Sequence, residues 1–310
     1  MIAFIFPGQG SQYAGMGKDL AEKFPAARQV FEEADAALGF ALSELCFNGP
    51  AEQLQLTENT QPAILTVSVA ALRALESEDF PGPDFVAGHS LGEYSALVAA
   101  GSLSLTDAVR TVRARGRYMQ EAVPAGAGAM AAILGADLNV VMTACEEAGD
   151  GQICSAANIN SSNQVVISGD AGAIDRAIVL LKERGAKRAL KLNVSAPFHC
   201  ALMKPAQDRL AADLQRISFE SLRIPVVTNV DGTAVRSGDQ ARDALVRQVA
   251  QPVRWLESVE FLTAQGVQSF VEIGPGKVLS GLVRQIDRSA RCVNVEDEAS
   301  LRAAREALSA

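Results

Sequence analysis

The chain has 310 residues, of which 48% are hydrophobic and 21% charged, so it can bury a large core in one large domain or in a domain that carries a subdomain. A formal net charge of -8 argues against nucleic acid as the main ligand, because phosphate binding needs a basic surface. Five cysteines without a CxxC pair favour reduced thiols over disulfides or a zinc site, and no apolar segment is long enough to span a membrane. We therefore expect a cytoplasmic protein that uses no metal and binds neither nucleic acid nor membrane.

The first part of the chain alternates short apolar runs with helical patterns. The runs IAFIF and DFVAG predict strands, and amphipathic periodicity predicts helices over 17–38, 60–76, 90–100 and 106–121. Such alternation indicates a parallel sheet covered by helices, with ligands at the carboxyl ends of the strands. The glycine-rich segment PAGAGAM, residues 124–130, interrupts the pattern.

A different order of elements follows that segment. In chain order, the predicted elements are a strand over 129–134, a helix over 137–148, a strand over 153–159, the turn NINSSN at 158–163, a strand over 164–168, a helix over 170–185 and a strand over 188–194. This βαββαβ order is that of a ferredoxin-like unit, and Asp170 is the expected N-cap of its second helix.

The helix-and-strand alternation returns from the segment SAPFH onward. Strands are predicted for IPVVTNV, SFVEIG and CVNVE, and helices over 200–216, 239–248, 253–265, 277–286 and the tail LRAAREALSA. We therefore predict a discontinuous large domain, residues 1–124 and 196–310, around an inserted subdomain at 125–195.

The stretch GHSLG places Ser90 where a predicted strand ends and a helix begins. A GxSxG turn in that context lifts the serine oxygen away from the sheet edge. The alternative is that the GxSxG pattern occurs by chance at an ordinary strand-to-helix turn. A serine needs a base, and the chain has only two histidines. His89 lies on the turn itself, so we expect it to be a structural hydrogen-bonding residue. His199 lies in a loop before a helix and is the predicted base, with a capping or surface role as its alternative.

An oxyanion formed at this serine would need two fixed donors. The residue after the nucleophile, Leu91, normally supplies one main-chain amide. The glycine-rich loop PGQGSQ follows the first strand directly, so Gln9 is the expected second donor. The alternative, a phosphate-binding loop, lacks the lysine of a P-loop.

One arginine of the helix LTDAVRTVRARGRYMQ is predicted to face the protein. At 100° per residue, Arg110, Arg113 and Arg117 share one arc, whereas Arg115 lies about 140° from Arg110. It falls beside an apolar stripe made by Leu105, Ala108, Val112 and Met119. A buried guanidinium needs an anion, which is either an internal Asp or Glu or the carboxylate of an acidic acyl group.

The sequence resembles the malonyl-CoA:acyl carrier protein transacylase family in several segments that occur in order, namely FPGQGSQ, GHSLGEYSAL, RGRYMQEAVPAGAGAMAAILG, NINSSNQVVISG, SAPFHCALMKPA, QPVRW and EIGPGKVL. The resemblance implies an α/β fold in which an α/β-hydrolase-like large domain with a parallel sheet carries an inserted ferredoxin-like subdomain. It also implies transfer of a malonyl group from malonyl-CoA to acyl carrier protein through an acylated serine, without a cofactor and by an enzyme that is usually monomeric.

Roles for the candidate residues follow from the resemblance. It implies that Ser90 is acylated, that His199 is the base, that Arg115 holds the malonyl carboxylate, and that the amides of Gln9 and Leu91 bind the oxyanion.

Three further residues enter only through the resemblance. The main-chain carbonyl of Gln248 is implied to orient the histidine, and Asn160 lies in a motif that lines the family's cleft. Related polyketide acyltransferases imply that Phe198, just before the histidine, favours malonyl over methylmalonyl, because its ring fills the space of an α-methyl group.

Two other functions remain open at this stage. A thioesterase, or a proofreading acyl hydrolase, would use the same serine and histidine, and a non-catalytic carrier-binding module could have kept the fold. Fatty acid synthesis, polyketide synthesis and malonate decarboxylation are all compatible with the residues. An acidic carrier protein would need a local basic rim, for which the candidates are Lys187, Arg188, Lys191 and Lys204.

Overall fold

Two β-sheets organise residues 1–309, the part of the chain that this computed structural model describes. The first sheet has the strand order β10-β9-β1-β2-β7-β8 and is parallel except for the pair β7–β8. Its strands are β1 (Ile2–Phe6), β2 (Phe85–Gly88), β7 (Val226–Val227), β8 (Ala234–Val235), β9 (Ser269–Ile273) and β10 (Arg291–Val295).

The strand β1 lies in the middle of this sheet and is apolar on both faces. Phe4 and Phe6 pack into the hydrophobic core on one face, and Ala3 and Ile5 into the core on the other. Buried strands of parallel sheets have this continuous apolar character because helices cover both sides. The register pairs Phe6 with Gly88, so the loops that follow β1 and β2 leave the same sheet edge side by side.

The second sheet is antiparallel, with the strand order β4-β5-β3-β6. Its elements follow the predicted βαββαβ order and are β3 (Gly128–Leu134), α8 (Leu138–Gly149), β4 (Cys154–Ser161), β5 (Gln164–Asp170), α9 (Ala171–Glu183) and β6 (Arg188–Lys191). The predicted mixed α/β fold with a parallel-rich sheet and a second, ferredoxin-like sheet is confirmed. The domain boundaries at residues 124 and 195 stay a prediction.

Two local expectations for this second sheet hold only in part. Asp170 is the N-cap residue of α9, as predicted, but its side chain makes no capping hydrogen bond, since its carboxylate accepts from the main-chain N–H of Ile153 over 2.7 Å. The segment NINSSN is not all turn, since β4 extends to Ser161 and is paired with β5 up to that residue.

The remaining helices pack on one another and against both sheets. They are α1 (Lys18–Lys23), α2 (Pro25–Leu38), α3 (Leu42–Asn48), α4 (Ala51–Leu54), α5 (Thr57–Ser77), α6 (Gly92–Ala99), α7 (Leu105–Glu121), α10 (Lys204–Leu214), α11 (Gly238–Gln248), α12 (Trp255–Ala264), α13 (Val278–Ile286) and α14 (Glu298–Ser309). The helix predicted over 17–38 is two helices, because Phe24 is extended before Pro25, as residues preceding proline usually are. Over the described residues, no helix is long and apolar enough to cross a membrane.

Candidate active site

Ser90 occupies a tight turn between β2 and α6, as the GHSLG stretch predicts. Its φ angle is 52°, in the left-handed region that non-glycine residues rarely adopt. A Cβ on Gly88 would lie 2.0 Å from the main-chain oxygen of Gly92, and one on Gly92 would lie 2.1 Å from that of Phe6. The two glycines are therefore required for the close approach of strand and helix that exposes the serine oxygen.

Two buried side chains hold this turn. The main-chain N–H of Ser90 donates to Asn229 Oδ1 over 2.7 Å, and Asn229 Nδ2 donates to the oxygen of Gly88 over 2.6 Å. Gln248 Nε2 donates to the main-chain oxygen of Ser90 over 3.0 Å. Both polar groups of the Ser90 backbone are thus bound by side chains, which compensates for the unfavourable dihedral angle. No local sequence pattern indicates Asn229.

His199 reaches Ser90 from the loop that follows the second sheet. Its Nε2 lies 2.8 Å from Ser90 Oγ, and its Nδ1 lies 2.8 Å from the main-chain oxygen of Gln248. Because that carbonyl only accepts, Nδ1 carries the proton and Nε2 is free to accept one from the serine. Burial, with a further contribution from the Arg115 cation, lowers the pKa of His199 to about 3. The imidazole is therefore neutral at physiological pH and can serve as a base.

His89 contacts other residues than the nucleophile, as the sequence suggested. Its Nε2 donates to Asn160 Oδ1 over 2.9 Å, and its ring packs beside Trp255 with 5.7 Å between ring centroids. Burial lowers the pKa of His89. Asn160 therefore supports the turn through His89, whereas Asn158, two residues earlier, lines the cleft with a side-chain oxygen that has no partner within residues 1–309. A substrate contact by Asn160 stays a prediction.

Arg115 is buried, with 2% of its surface exposed. Its Nη2 donates to Ser90 Oγ over 3.0 Å and to Gln248 Oε1 over 2.9 Å, and its Nη1 donates to Gln61 Oε1 over 2.7 Å. All three acceptors are neutral, and in the described part of the chain Arg115 forms no ion pair and its Nε has no acceptor. A direct internal ion pair is therefore excluded within residues 1–309, and the site offers a buried cation beside the serine that no carboxylate contacts, although the nearby Glu93 carboxyl acts on it through space.

These groups converge on a cavity of about 130 Å³. Its lining is formed by Gln9, Gln61, His89, Ser90, Arg115, Met119, Met130, Asn158, Leu192, Val194, Phe198 and His199. The cavity joins polar groups around the serine to an apolar wall, part of it supplied by Phe198. Sequence reasoning missed Gln61 and Asn158, which reach the cavity only through tertiary packing.

The two expected oxyanion donors lie at the same sheet edge. Within residues 1–309, neither the main-chain N–H of Gln9 nor that of Leu91 has a hydrogen-bond acceptor. The side chain of Gln9 is fixed by a 3.3 Å bond from Nε2 to Thr57 Oγ1. A pair of unused main-chain donors is what an oxyanion needs, and their role as its binding site stays a prediction.

The fold and the serine–histidine pair define the class of protein. A family model described as acyl transferase domain matches residues 3–303, almost the whole chain, so the protein is an acyltransferase. Within that class, the chain belongs to the malonyl CoA-acyl carrier protein transacylase family, as its relatives show.

A relative of that name from Escherichia coli K12 is 52% identical over 305 residues, which cover 98% of this chain and 99% of the relative. The crystal structure of an acyl carrier protein S-malonyltransferase from Vibrio cholerae is 50% identical, covers 98% of this chain and 99% of its own, and superposes with a TM-score of 0.96. A malonyl-transacylase solved in complex with its type II PKS acyl-carrier protein is 51% identical, with 99% of both chains covered and the same TM-score.

Proposed function

We propose that the chain transfers a malonyl group from malonyl-CoA to the phosphopantetheine thiol of an acyl carrier protein through a malonyl ester on Ser90. The observation that carries this proposal is the position of Arg115, which is buried 3.0 Å from Ser90 Oγ without a carboxylate partner in the described chain. An acyl group with its own carboxylate supplies the missing anion.

In the first step, His199 Nε2 takes the proton of Ser90 as Oγ bonds to the thioester carbon. The negative charge moves to the carbonyl oxygen, where the amides of Gln9 and Leu91 are the proposed donors. The carbon–sulfur bond then breaks, and the proton on His199 passes to the sulfur of coenzyme A. The acyl group remains as an ester on Ser90.

The second step is the reverse with a different thiol. The phosphopantetheine thiol gives its proton to His199 while its sulfur attacks the ester carbon. Ser90 Oγ leaves and recovers the proton, and the carrier departs with the malonyl group. Because Gln248 holds Nδ1 of the histidine, Nε2 faces the serine oxygen in both directions of transfer.

Hydrolysis by water is the competing outcome. An ester whose carboxylate is bound by Arg115 and whose carbonyl lies in the oxyanion site has two fixed ends, which restricts where a nucleophile can approach. We infer that the carrier thiol is directed to that approach and that water is not, so the thioesterase alternative is disfavoured. The intact Ser90, His199 and Arg115 also disfavour a non-catalytic module.

The carrier protein is proposed to dock near the second sheet, at the rim formed by basic side chains. Of the four candidates, Lys191 and Lys204 each pair with an aspartate, so the proposal depends mainly on Lys187 and Arg188. Since one chain supplies the whole site, we further propose that the enzyme acts as a monomer in the cytoplasm. Neutralising Lys187 and Arg188 should raise the KM for the carrier protein and weaken its dependence on salt.

The direct test is to incubate the protein with malonyl-CoA and follow its intact mass, first alone and then with a carrier protein that bears its phosphopantetheine arm. A persistent malonyl adduct that moves to the carrier supports the proposal. Rapid release of free malonate without an adduct would favour the hydrolase instead.

A further inference from the structure

Glu93 is a buried carboxyl group directly beneath the active site. It lies in the first turn of α6, three residues after Ser90, and is 0% exposed. Its Oε2 accepts hydrogen bonds from the main-chain N–H of Asn229 and from Gln248 Nε2, each over 2.9 Å. Its Oε1 has no partner within residues 1–309. Burying a carboxyl group is costly, so the presence of one at this position calls for a functional reason.

The hydrogen bond from Gln248 to Glu93 fixes the direction of the Gln248 side chain. Glu93 Oε2 and the main-chain oxygen of Ser90 both accept from Nε2, so the amide nitrogen must face them. The amide oxygen is thereby turned toward Arg115 and accepts from its Nη2 over 2.9 Å. In the flipped orientation the amide would direct its own donors at a cation, which is unfavourable.

The neutral character of that amide suits the proposed chemistry. A carboxylate in direct contact with Arg115 would compete with the acyl carboxylate for the guanidinium. Gln248 instead offers a neutral acceptor, which holds Arg115 in place and leaves its charge available for the acyl group.

The hydrogen bond from Asn229 to Glu93 supports the nucleophile. By accepting from the main-chain N–H of Asn229, the carboxyl group fixes the residue whose side chain binds Ser90 and Gly88. One oxygen atom is therefore the common anchor of the arginine and of the strained serine turn.

Hydrogen bonding through Oε2 can persist in either protonation state. Burial raises the pKa of Glu93 to about 7, against the opposing effects of its hydrogen bonds from Asn229 and Gln248 and of the Arg115 cation. A proton can be carried on the unpartnered Oε1 while Oε2 keeps both of its bonds. The acceptor at Oε2, and not the negative charge, is thus the constant feature.

We infer that Glu93 is a positioning residue for acyl transfer, which through Gln248 aims Arg115 at the acyl carboxylate and through Asn229 holds the Ser90 turn. This inference rests on the malonyl transfer proposed above and deepens it, because it assigns the selectivity of the site to a group that never touches the substrate.

Three substitutions separate hydrogen bonding from charge. Glu93→Gln keeps an acceptor oxygen at the same reach, Glu93→Asp keeps the charge but is one methylene too short, and Glu93→Ala removes both. The rates of Ser90 acylation by malonyl-CoA and by acetyl-CoA are measured for each folded variant by intact mass without carrier protein. Thermal unfolding of each variant is recorded alongside.

We expect Glu93→Gln to keep a malonyl-to-acetyl rate ratio within about threefold of the wild type. Glu93→Asp and Glu93→Ala should slow both acylations and lower the ratio by about tenfold, the scale of one lost charge-assisted hydrogen bond. Should Glu93→Ala fail to fold, the comparison of Asp with Gln decides the same question.

Glu272 provides a matched control, because it is also a fully buried carboxyl group and accepts from the main-chain N–H groups of Leu279 and Ser280. Glu272→Ala should lower thermal stability and leave the malonyl-to-acetyl ratio near the wild-type value. Three results would each overturn the inference. They are an equal fall of the malonyl-to-acetyl ratio in Glu272→Ala, unchanged acylation rates in a folded Glu93→Ala, and a ratio that Glu93→Asp retains better than Glu93→Gln does. If the wild type forms no acyl-serine with malonyl-CoA, the proposed function itself fails, and that result is distinct from these three.

Discussion

Arg115 Nη2 donates a hydrogen bond directly to Ser90 Oγ over 3.0 Å, so the cation and the nucleophile are in contact. His199 Nε2 approaches the same oxygen to 2.8 Å. A positive charge at this distance stabilises negative charge as it develops on the serine oxygen. In the proposed mechanism the same guanidinium also binds the acyl carboxylate, whose carbon is two bonds beyond the ester carbon. Nucleophile activation and acyl selection are joined in one side chain in that mechanism.

Replacing Arg115 should change selectivity more than it changes basal reactivity. In Arg115→Ala, acylation by malonyl-CoA should fall by about 100-fold or more, because a buried carboxylate loses its charge-assisted hydrogen bonds. Acylation by acetyl-CoA should fall less, since only the contact with Ser90 is lost. Single-turnover rates with both thioesters measure the difference.

Arg117 on the outer face of the same helix is the matched control, because it is exposed and contacts Glu121 at 3.9 Å. Arg117→Ala should leave both rates close to those of the wild type. Equal losses for the two thioesters in Arg115→Ala would show instead that Arg115 is structural.

The pH dependence of acylation should reflect the perturbed base. The pKa of His199 is lowered from 6.5 to about 3 by burial and by Arg115, so protonation that removes the base occurs only below the ordinary histidine range. The rate of acylation should therefore not fall with a midpoint near pH 6.5 as the pH is lowered. An acyl-N-acetylcysteamine thioester is the suitable substrate, since it carries no titrating phosphate.

Burial raises the pKa of Glu93 in the same site to about 7, so Glu93→Gln should be measured in parallel. An acid limb near pH 6.5 that persists in that variant would contradict the assignment of a neutral, buried base.

Phe198 should restrict the acyl group by volume. It is 8% exposed and lines the cavity immediately before His199 in the chain. Phe198→Ala opens space beside the acyl site, and the preference for malonyl-CoA over methylmalonyl-CoA should fall by about tenfold, the usual scale for one methyl group. Competition between the two thioesters measures this ratio. If Phe198→Ala loses malonyl transfer while the preference for malonyl-CoA over methylmalonyl-CoA stays unchanged, the ring only supports His199.

The glycine after Leu91 should tolerate no side chain. A Cβ on Gly92 would lie 2.1 Å from the main-chain oxygen of Phe6, so helix α6 or strand β1 must move. Gly92→Ala should lower thermal stability and acylation together. Gly281, within helix α13, has open space around its Cβ position, and Gly281→Ala should be neutral or stabilise the fold by about 0.5–1 kcal/mol. An active and fully stable Gly92→Ala would contradict the geometry of the turn.

Local patterns predicted the parts of the site that local rules govern. Ser90 follows from a strand, a glycine-flanked turn and a helix, and the burial of Arg115 follows from helical periodicity. The chain has two histidines, so His199 could be chosen as the base once His89 was expected to have a structural role. That expected role agrees with the hydrogen bond between His89 and Asn160.

The missed residues depend on packing between distant segments. Asn229 lies 139 residues beyond the serine that it holds, and Glu93 is in an apolar helix with no periodic signal to mark it. Asn158 was missed for a different reason. The pairing of β4 with β5 shifts register between Ala156 and Asn158 and again before Ser161, so counting alternate residues cannot tell which side chain faces the cleft.

The most direct test of transfer through an acylated serine is intact-mass analysis with peptide mapping after exposure to malonyl-CoA, followed by addition of holo acyl carrier protein. We predict one malonyl group per chain on Ser90, stable until the carrier is added and then found on the carrier thiol, with no adduct in Ser90→Ala. An adduct that maps to another residue, or malonate released to water while the carrier stays unmodified, would contradict the account.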